Sequence, residues 1–547
     1  MSPARLRFAT LLLLVLAPAG NAQEPVPYDS GVTAFVGVSV VPMDREEVLP
    51  DHTVLVRQGV VVEMGPSDSV PVPAGTRVVE GLGGYLMPGL TDLHAHATDE
   101  HEFPLWLSYG VTRIQYLNAY EDLLELANSV ADAEILGPTV HLCAGPVSGI
   151  QEVGEAREVV ARYDEMGFDC VKPYGDLSVE AFDAVVDEAR SRGIRTIGHI
   201  PRNLTWQDVL RAGPSAVAHA EEFLYSPIES VEDLERIDSL MVANDVALVA
   251  TLSNYAAITR QPLFAGRMLR HPDVGAYSPV DRRYWTPERN HYVRDFSPNR
   301  VPRMRALLGF QRRLTRRLAD AGVTLGLGTD AGNNLVFPGS STHDELDELV
   351  KAGLSPYQAL RAGTADAARW LGLGDRAGVV REGAVADLVL VLGNPLTDVA
   401  NALLVAGVMV RGRWLSRAEL DDRVARVRAG FTDERRMMAL LEEAGVAKVL
   451  EWLAARARPG SAPPLRPRAL NELAYQLWRI DDRLDDAIRV FEANQRLHRG
   501  WWAAHASLAE AYEAAGRPAK ALAAYRRAVE LKPDYREGRE RIRALGG

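Results

Sequence analysis

Two histidines one residue apart end the run Pro88-Gly89-Leu90-Thr91-Asp92-Leu93-His94-Ala95-His96. On a strand, residues i and i+2 point to the same side, so His94 and His96 can offer imidazole nitrogens to one metal ion. Alone, a His-x-His is as well explained by core packing. Its company raises it. His199 ends Thr196-Ile197-Gly198-His199-Ile200, His219 ends Val217-Ala218-His219-Ala220, and Asp330 lies in Gly326-Leu327-Gly328-Thr329-Asp330-Ala331-Gly332. Each has a bland reading, a satisfied buried His or a capping Asp. Falling together at the ends of separate apolar runs, they read as metal ligands.

Lys172, in Asp169-Cys170-Val171-Lys172-Pro173-Tyr174, ends another such run. A lysine facing a barrel interior is a costly buried ammonium unless it is paired or neutralised. Reaction with carbon dioxide gives a carbamate, an anion whose two oxygens can bridge two cations. The alternative is a packed stem with its ammonium in solvent.

The elements that must carry these residues can be counted. Apolar runs end at Leu93, Leu117, Ala144, Val171, Ile200, Ala220, Leu252 and Gly328, with amphipathic helical patterns such as 121–136, 152–166, 179–192, 231–244 and 301–321 between them. Runs joined by helices predict parallel strands, because parallel neighbours need crossover connections. The economical arrangement is a closed (β/α)8 TIM barrel with chemistry at the C-terminal strand ends; an open doubly wound sheet is the alternative. Short β segments at 33–41, 53–57, 60–64 and 77–79 flank the barrel on one side, and 386–392 and 407–414 on the other. Residues 254–302, holding Tyr277, Tyr284, Trp285, Tyr292 and Phe296, are too long for an ordinary loop and read as a lid. Arg267, Arg283 and Arg294 there are either carboxylate binders or solvated surface.

The chain has 547 residues, 47% hydrophobic and 24% charged, with net charge −12. Those proportions exclude a disordered or multi-span membrane protein, and the acidic balance gives no footprint for nucleic acid. Arg5 and Arg7, the apolar stretch to Leu16 and the small residues before Ala22 read as a signal peptide over 1–22, with an uncleaved anchor as the alternative. The mature chain is then expected to be periplasmic or secreted, and not an integral membrane protein. Cys143 and Cys170 are too few for a disulfide framework, and Cys170 reads as a small core residue. After helical patterns over 416–456 and a Pro-rich linker, Ala487 and Ala521, Phe491 and Tyr525, and Leu497 and Leu531 mark an internal repeat. That spacing, with Leu508, Ala509, Tyr512, Gly516, Ala528 and Pro533, suits tetratricopeptide-like helical pairs, a plain helical hairpin pair being the alternative. The repeats are candidates for a protein partner or a homo-oligomer contact.

The histidine, lysine and aspartate motifs taken together resemble the amidohydrolase superfamily, closest to its imidazolonepropionase-like and prolidase-like members. Gly378 to Leu392, with Gly383, Ala386 and Asp387, is similar to that family's return into its small β domain. The resemblance covers roughly 30–415 and implies a β-sandwich from 30–82 and 376–415, a barrel over 83–375, a helical extension and linker over 416–458, and repeats over 465–547. It implies two divalent metal ions, zinc foremost, with His94, His96 and Asp330 on the first, His199 and His219 on the second, and carboxylated Lys172 bridging. A hydroxide shared by the two would attack an amide, peptide or cyclic amide carbonyl of a small-molecule or peptide substrate, with Asp330 as general base and then acid. Tyr174, Tyr225, His141 and His343 are candidates for substrate contact or for structural hydrogen bonds. Ala144-Gly145-Pro146-Val147-Ser148-Gly149-Ile150 departs from the glycine-rich stretch of peptide-cleaving relatives. The alternatives are a metal-dependent isomerase or decarboxylase, a one-metal hydrolase, or a non-catalytic repeat-bearing interaction protein.

Overall fold

A computed structural model describes residue 27 and residues 31–96, 99–456, 465–533 and 535–546. The expected signal peptide and most of the linker before residue 465 lie outside the described residues. Five strands open the fold: β1 (Val32–Val40), β2 (Leu49–Arg57), β3 (Val60–Pro66), β4 (Arg77–Glu80) and β5 (Tyr85–Pro88). Eight more follow: β6 (Leu90–Ala95), β7 (Val111–Ala119), β8 (Thr139–Val147), β9 (Cys170–Pro173), β10 (Arg195–Gly198), β11 (Ala216–Ala218), β12 (Ala247–Val249) and β13 (Leu325–Gly326). The last three are β14 (Leu388–Val391), β15 (Val405–Val410) and β16 (Arg413–Ser416).

Strands β6 to β13 form one parallel sheet in unbroken sequence order. Helices return the chain between them, as parallel pairing demands. The sheet curls until its ends meet: Leu93 N–H donates to the Leu327 carbonyl at 2.9 Å and Asp330 N–H to the His94 carbonyl at 2.7 Å. Its interior is filled by Leu93, Leu117, Cys143, Cys170, Ile197 and Val249, so it is a packed barrel and not a pore. The two cysteines face each other from neighbouring β8 and β9, Cα atoms 4.4 Å apart, and are joined as a disulfide. Cys170 is thus the core residue expected, with a bond that two isolated cysteines did not announce.

The remaining strands come from both flanks of the barrel and build one mixed sheet, ordered β16-β15-β14-β5-β1-β2-β3 with β4 on β1. It is a single sheet folded over itself: Phe35 on β1 meets Trp414 on β16 with ring centroids 5.2 Å apart, although three strands separate them in the sheet. Arg113 on β7 ties this unit to the barrel through Asp387, 2.9 Å away and buried with it.

The 254–302 insertion is mostly helical, from the helix Leu252–Met268 through short turns to Val301–Asp320. Tyr277 and Trp285 pack with Phe337 in a satellite core there. The C-terminal region forms helices Pro467–Arg479, Leu484–Leu497, Trp502–Ala514, Pro518–Leu531 and Arg536–Ala544, and the repeat positions Ala487, Ala521, Phe491 and Tyr525 are all in its core. Among the described residues no helix is long and apolar enough to cross a membrane.

Candidate metal centre and active site

The barrel mouth gathers what the sequence scattered. His94 lies on β6 and His96 one residue past its end; Lys172 is on β9, His199 follows β10, His219 follows β11 and Asp330 follows β13. Asp330 Oδ1 is 2.9 Å from His96 Nε2 and 3.3 Å from His94 Nε2, and those two nitrogens are 3.2 Å apart. Ligand atoms of His94, His219 and Asp330 all lie within 4.8 Å of one another. The His219 ring is 4.4 Å from that of His94 and 4.7 Å from that of His199. His96, Lys172, His199, His219 and Asp330 line one cavity of about 440 Å³.

Local sequence explains the closeness. In Gly328-Thr329-Asp330-Ala331-Gly332, a side chain at Gly328 would stand 2.8 Å from His94 Cβ, and one at Gly332, with φ of +101°, 2.9 Å from the His96 carbonyl carbon. Glycine is required at both positions because the His-x-His backbone passes against them. Thr329 Oγ1 donates to the buried Asp92 at 2.6 Å, and Asp92 also accepts from the His94 and Thr329 amides. Burial raises the Asp92 carboxyl to about 7 against those hydrogen bonds. Backbone strain clusters here: Asn118, His219, Thr251 and Asp330, all at strand ends, hold positive φ, a cost of about 1–3 kcal/mol each.

Electrostatics prepare ligands. Burial pulls the His94 imidazole down to about 3 and lowers His96 and His219 as well, so all three are neutral with lone pairs available. Burial works against ionisation of Asp330, yet His94 and His96 hold its carboxyl well below the usual carboxylate range. Its Oδ2 accepts from Asn254 at 2.7 Å and Asn333 at 2.8 Å. Burial lowers the Lys172 ammonium to about 8, with Asp330 and Glu222 pulling the other way.

On His219 and His199 the nitrogens turned away from the cluster are held too, whereas His94 Nδ1 is buried without a hydrogen-bond partner among the described residues. His219 Nδ1 sits 2.7 Å from Thr251 Oγ1, and His199 Nδ1 2.6 Å from Glu222 Oε1. Glu222 is fully buried and also accepts from the Ile200 amide and Arg202. Glu222 lies in the first turn of the short helix Ala220–Leu224, and its interval of three from His219 is its only sequence signal, one that many helix starts share. Glu222, Asn254, Asn333 and Arg202 were all missed by the sequence reading, since no motif marks them.

The structure divides the candidate substrate contacts. Tyr174 lines the cavity, edge-on to His199 at 4.7 Å. Tyr225 lies at the rim beneath the Arg202 guanidinium, 4.0 Å from its ring. His141 lies outside the cavity, low on β8 with Nδ1 3.6 Å from Asp169, and His343 is buried in the helix Ser340–Ala352 with Nε2 2.8 Å from the Tyr109 carbonyl oxygen. Tyr292 of the insertion reaches the cavity wall. Arg283 faces away, engaged with Asp481 and Gln476.

A family model described as Amidohydrolase family matches residues 106–415, and one described as Tetratricopeptide repeat matches 502–542. An uncharacterised protein of Mycobacterium tuberculosis is 25% identical over 364 residues, 60% of this chain and 85% of that one. Among solved structures, a bottromycin amidohydrolase superposes with TM-score 0.60 at 25% identity, over 73% of this chain and 91% of its own. An Xaa-Pro dipeptidase with methionine bound in its active site superposes with TM-score 0.55 at 16% identity, over 71% of this chain and 100% of its own; at that identity the likeness is one of fold.

Proposed function

The chain belongs to the amidohydrolase family, and from that premise we propose that its barrel mouth hydrolyses an amide, peptide or cyclic amide C–N bond with two divalent cations as cofactors. The observation that carries this reading is the convergence of buried His94, His219 and Asp330 with half-buried His96 beside them, and Lys172 on the same cavity wall.

The residues fit the cations. Neutral imidazoles and an ionised carboxylate share a small buried volume, a donor set of the kind a divalent cation takes. Nitrogen and oxygen donors suit zinc, and hydrogen bonds on the far nitrogens of His199 and His219 fix ring orientation as metal-binding histidines require. His94, His96 and Asp330 would hold one ion and His199 and His219 the other, with a carbamate on Lys172 reaching both. Carbamate formation needs the neutral amine, which the depressed Lys172 makes available near neutral pH. Bound there, the cations supply Lewis acidity and a water whose pKa is near neutral.

This chain's own groups handle the proton and the substrate. Asp330, ionised and clamped through Oδ2 by two asparagine amides, accepts the proton of the attacking water and returns it to the leaving nitrogen. Tyr174 and Arg202 border the cavity and are placed to bind a substrate oxygen. Asp330→Asn tests the reading on a panel of dipeptides, N-acyl amino acids and lactams. It should keep the fold and lower kcat by about a hundredfold or more; undiminished turnover overturns the role, and a wild-type enzyme that cleaves none of the panel overturns the reaction.

A further inference from the structure

The helical repeats form an arch over the barrel mouth. At one end Gln476 Nε2 donates to the Val280 carbonyl at 2.9 Å, and Asp481 receives Arg283 and Arg289 from the insertion. At the other, Lys532 pairs with Glu121 just after β7 at 2.5 Å, and Arg536 with Glu155 after β8 at 3.0 Å. Between these anchors runs a groove of about 860 Å³.

One wall belongs to the repeats. Tyr475 projects from the helix Pro467–Arg479, while Trp502, Ala506 and Glu510, four residues apart, present one face of the helix Trp502–Ala514. The floor belongs to the barrel, where His96, Asn118 and Pro146 line this groove and the catalytic cavity alike. The two spaces are therefore continuous. A cavity of about 440 Å³ suits a small ligand, and the groove roughly triples the room along one direction.

Charge says what the groove favours. Its Arg466, Arg468, Lys532 and Arg536 are each paired with a carboxylate, and Arg162 lies against the Tyr163 ring at 5.2 Å. Asp281, Glu472, Glu510 and Glu537 face the groove with no ion pair among the described residues. The Lys532 ammonium already lies over the Trp502 ring at 4.5 Å, and such rings beside carboxylates without an ion pair suit further ammonium and guanidinium groups on an extended chain.

We propose that this groove is an extended-substrate site, holding the flanking residues of a cationic oligopeptide whose scissile amide reaches the His94–Asp330 cluster. The proposal rests on the reading of the barrel mouth as an amide hydrolase. The repeats then serve their own enzyme as a specificity wall.

The test uses the full-length, metal-loaded protein, a blocked dipeptide, and hexapeptides with the same scissile pair flanked by Lys or by Glu. The Lys hexapeptide should exceed the dipeptide in kcat/KM by about tenfold or more, and Trp502→Ala or the pair Glu472→Lys with Glu510→Lys should bring that ratio towards one. Trp502→Phe should preserve it. Equal kcat/KM for the Lys and Glu hexapeptides, or ratios unmoved by the variants, overturns the proposal. Calorimetry with the Lys hexapeptide carrying a ketomethylene in place of the scissile amide separates the two readings. Binding by the wild type that the variants lose, without cleavage of any peptide, leaves the groove standing and removes the hydrolase; no binding by the wild type removes the groove.

Discussion

At the scale of single residues, three of the site's side chains are each paired with a neighbour that fixes its direction. Asp330 is held by Asn254 and Asn333, His199 by Glu222 and His219 by Thr251. Lys172 is not so held: it is 4% exposed and forms no ion pair among the described residues. A buried amine without an anion is expensive unless it is modified. In Lys172→Ala, metal analysis should find about one divalent ion per chain instead of two, partly restored by bicarbonate with a small carboxylic acid; full occupancy and turnover would remove the carbamate. The residues proposed as ligands were legible because strand ends are recognisable from apolar runs and because histidine and aspartate are rare there. Their supports were not legible: Glu222, Asn254 and Asn333 are ordinary surface residue types until the fold buries them.

At the scale of elements, the agreement runs deepest where periodicity is strong. Each of the eight apolar runs became a barrel strand, because a strand buried on both faces has few polar residues to obscure it. Most flanking β segments were visible as strands, but β5 was not, and 407–414 divides into β15 and β16; their joining into a single curled sheet was hidden too, since β1 contacts both β4 and β5 through pairings no local pattern announces. The glycines of the loop after β13 belong to this scale too. Gly328→Ala should press on His94 Cβ and on Val249, displace β13 from β6 and destabilise the fold by about 1–3 kcal/mol. Thermal unfolding checks the loss; an unchanged Tm would mean the seam yields without strain.

At the scale of the whole molecule, barrel, insertion and repeats form one connected body. Val280 of the insertion belongs to the core cluster of the repeats, and Asp481, about one-eighth exposed, holds two arginines of the insertion. Asp481→Ala leaves both guanidinium groups without their carboxylate, a cost of about 3 kcal/mol for a partly buried pair. Hydrogen exchange should then quicken in 279–285 and 467–479 while the barrel strands stay protected; uniform protection would mean the arch is held elsewhere. The repeat period was readable from residues 34 apart, whereas the face those helices present was not, because docking depends on ion pairs such as Lys532–Glu121 between residues distant in sequence.

The backbone groups that close the barrel belong to the residues that carry its chemistry: the carbonyl of His94 receives the amide of Asp330, and the amide of His96 reaches the carbonyl of Ala331. Hoop and hinge-pin belong to the same residues. A change that shifted either backbone would therefore slacken the stave and disturb the proposed ion site beside it, so a descendant that lost these residues would inherit a cask that no longer holds its shape.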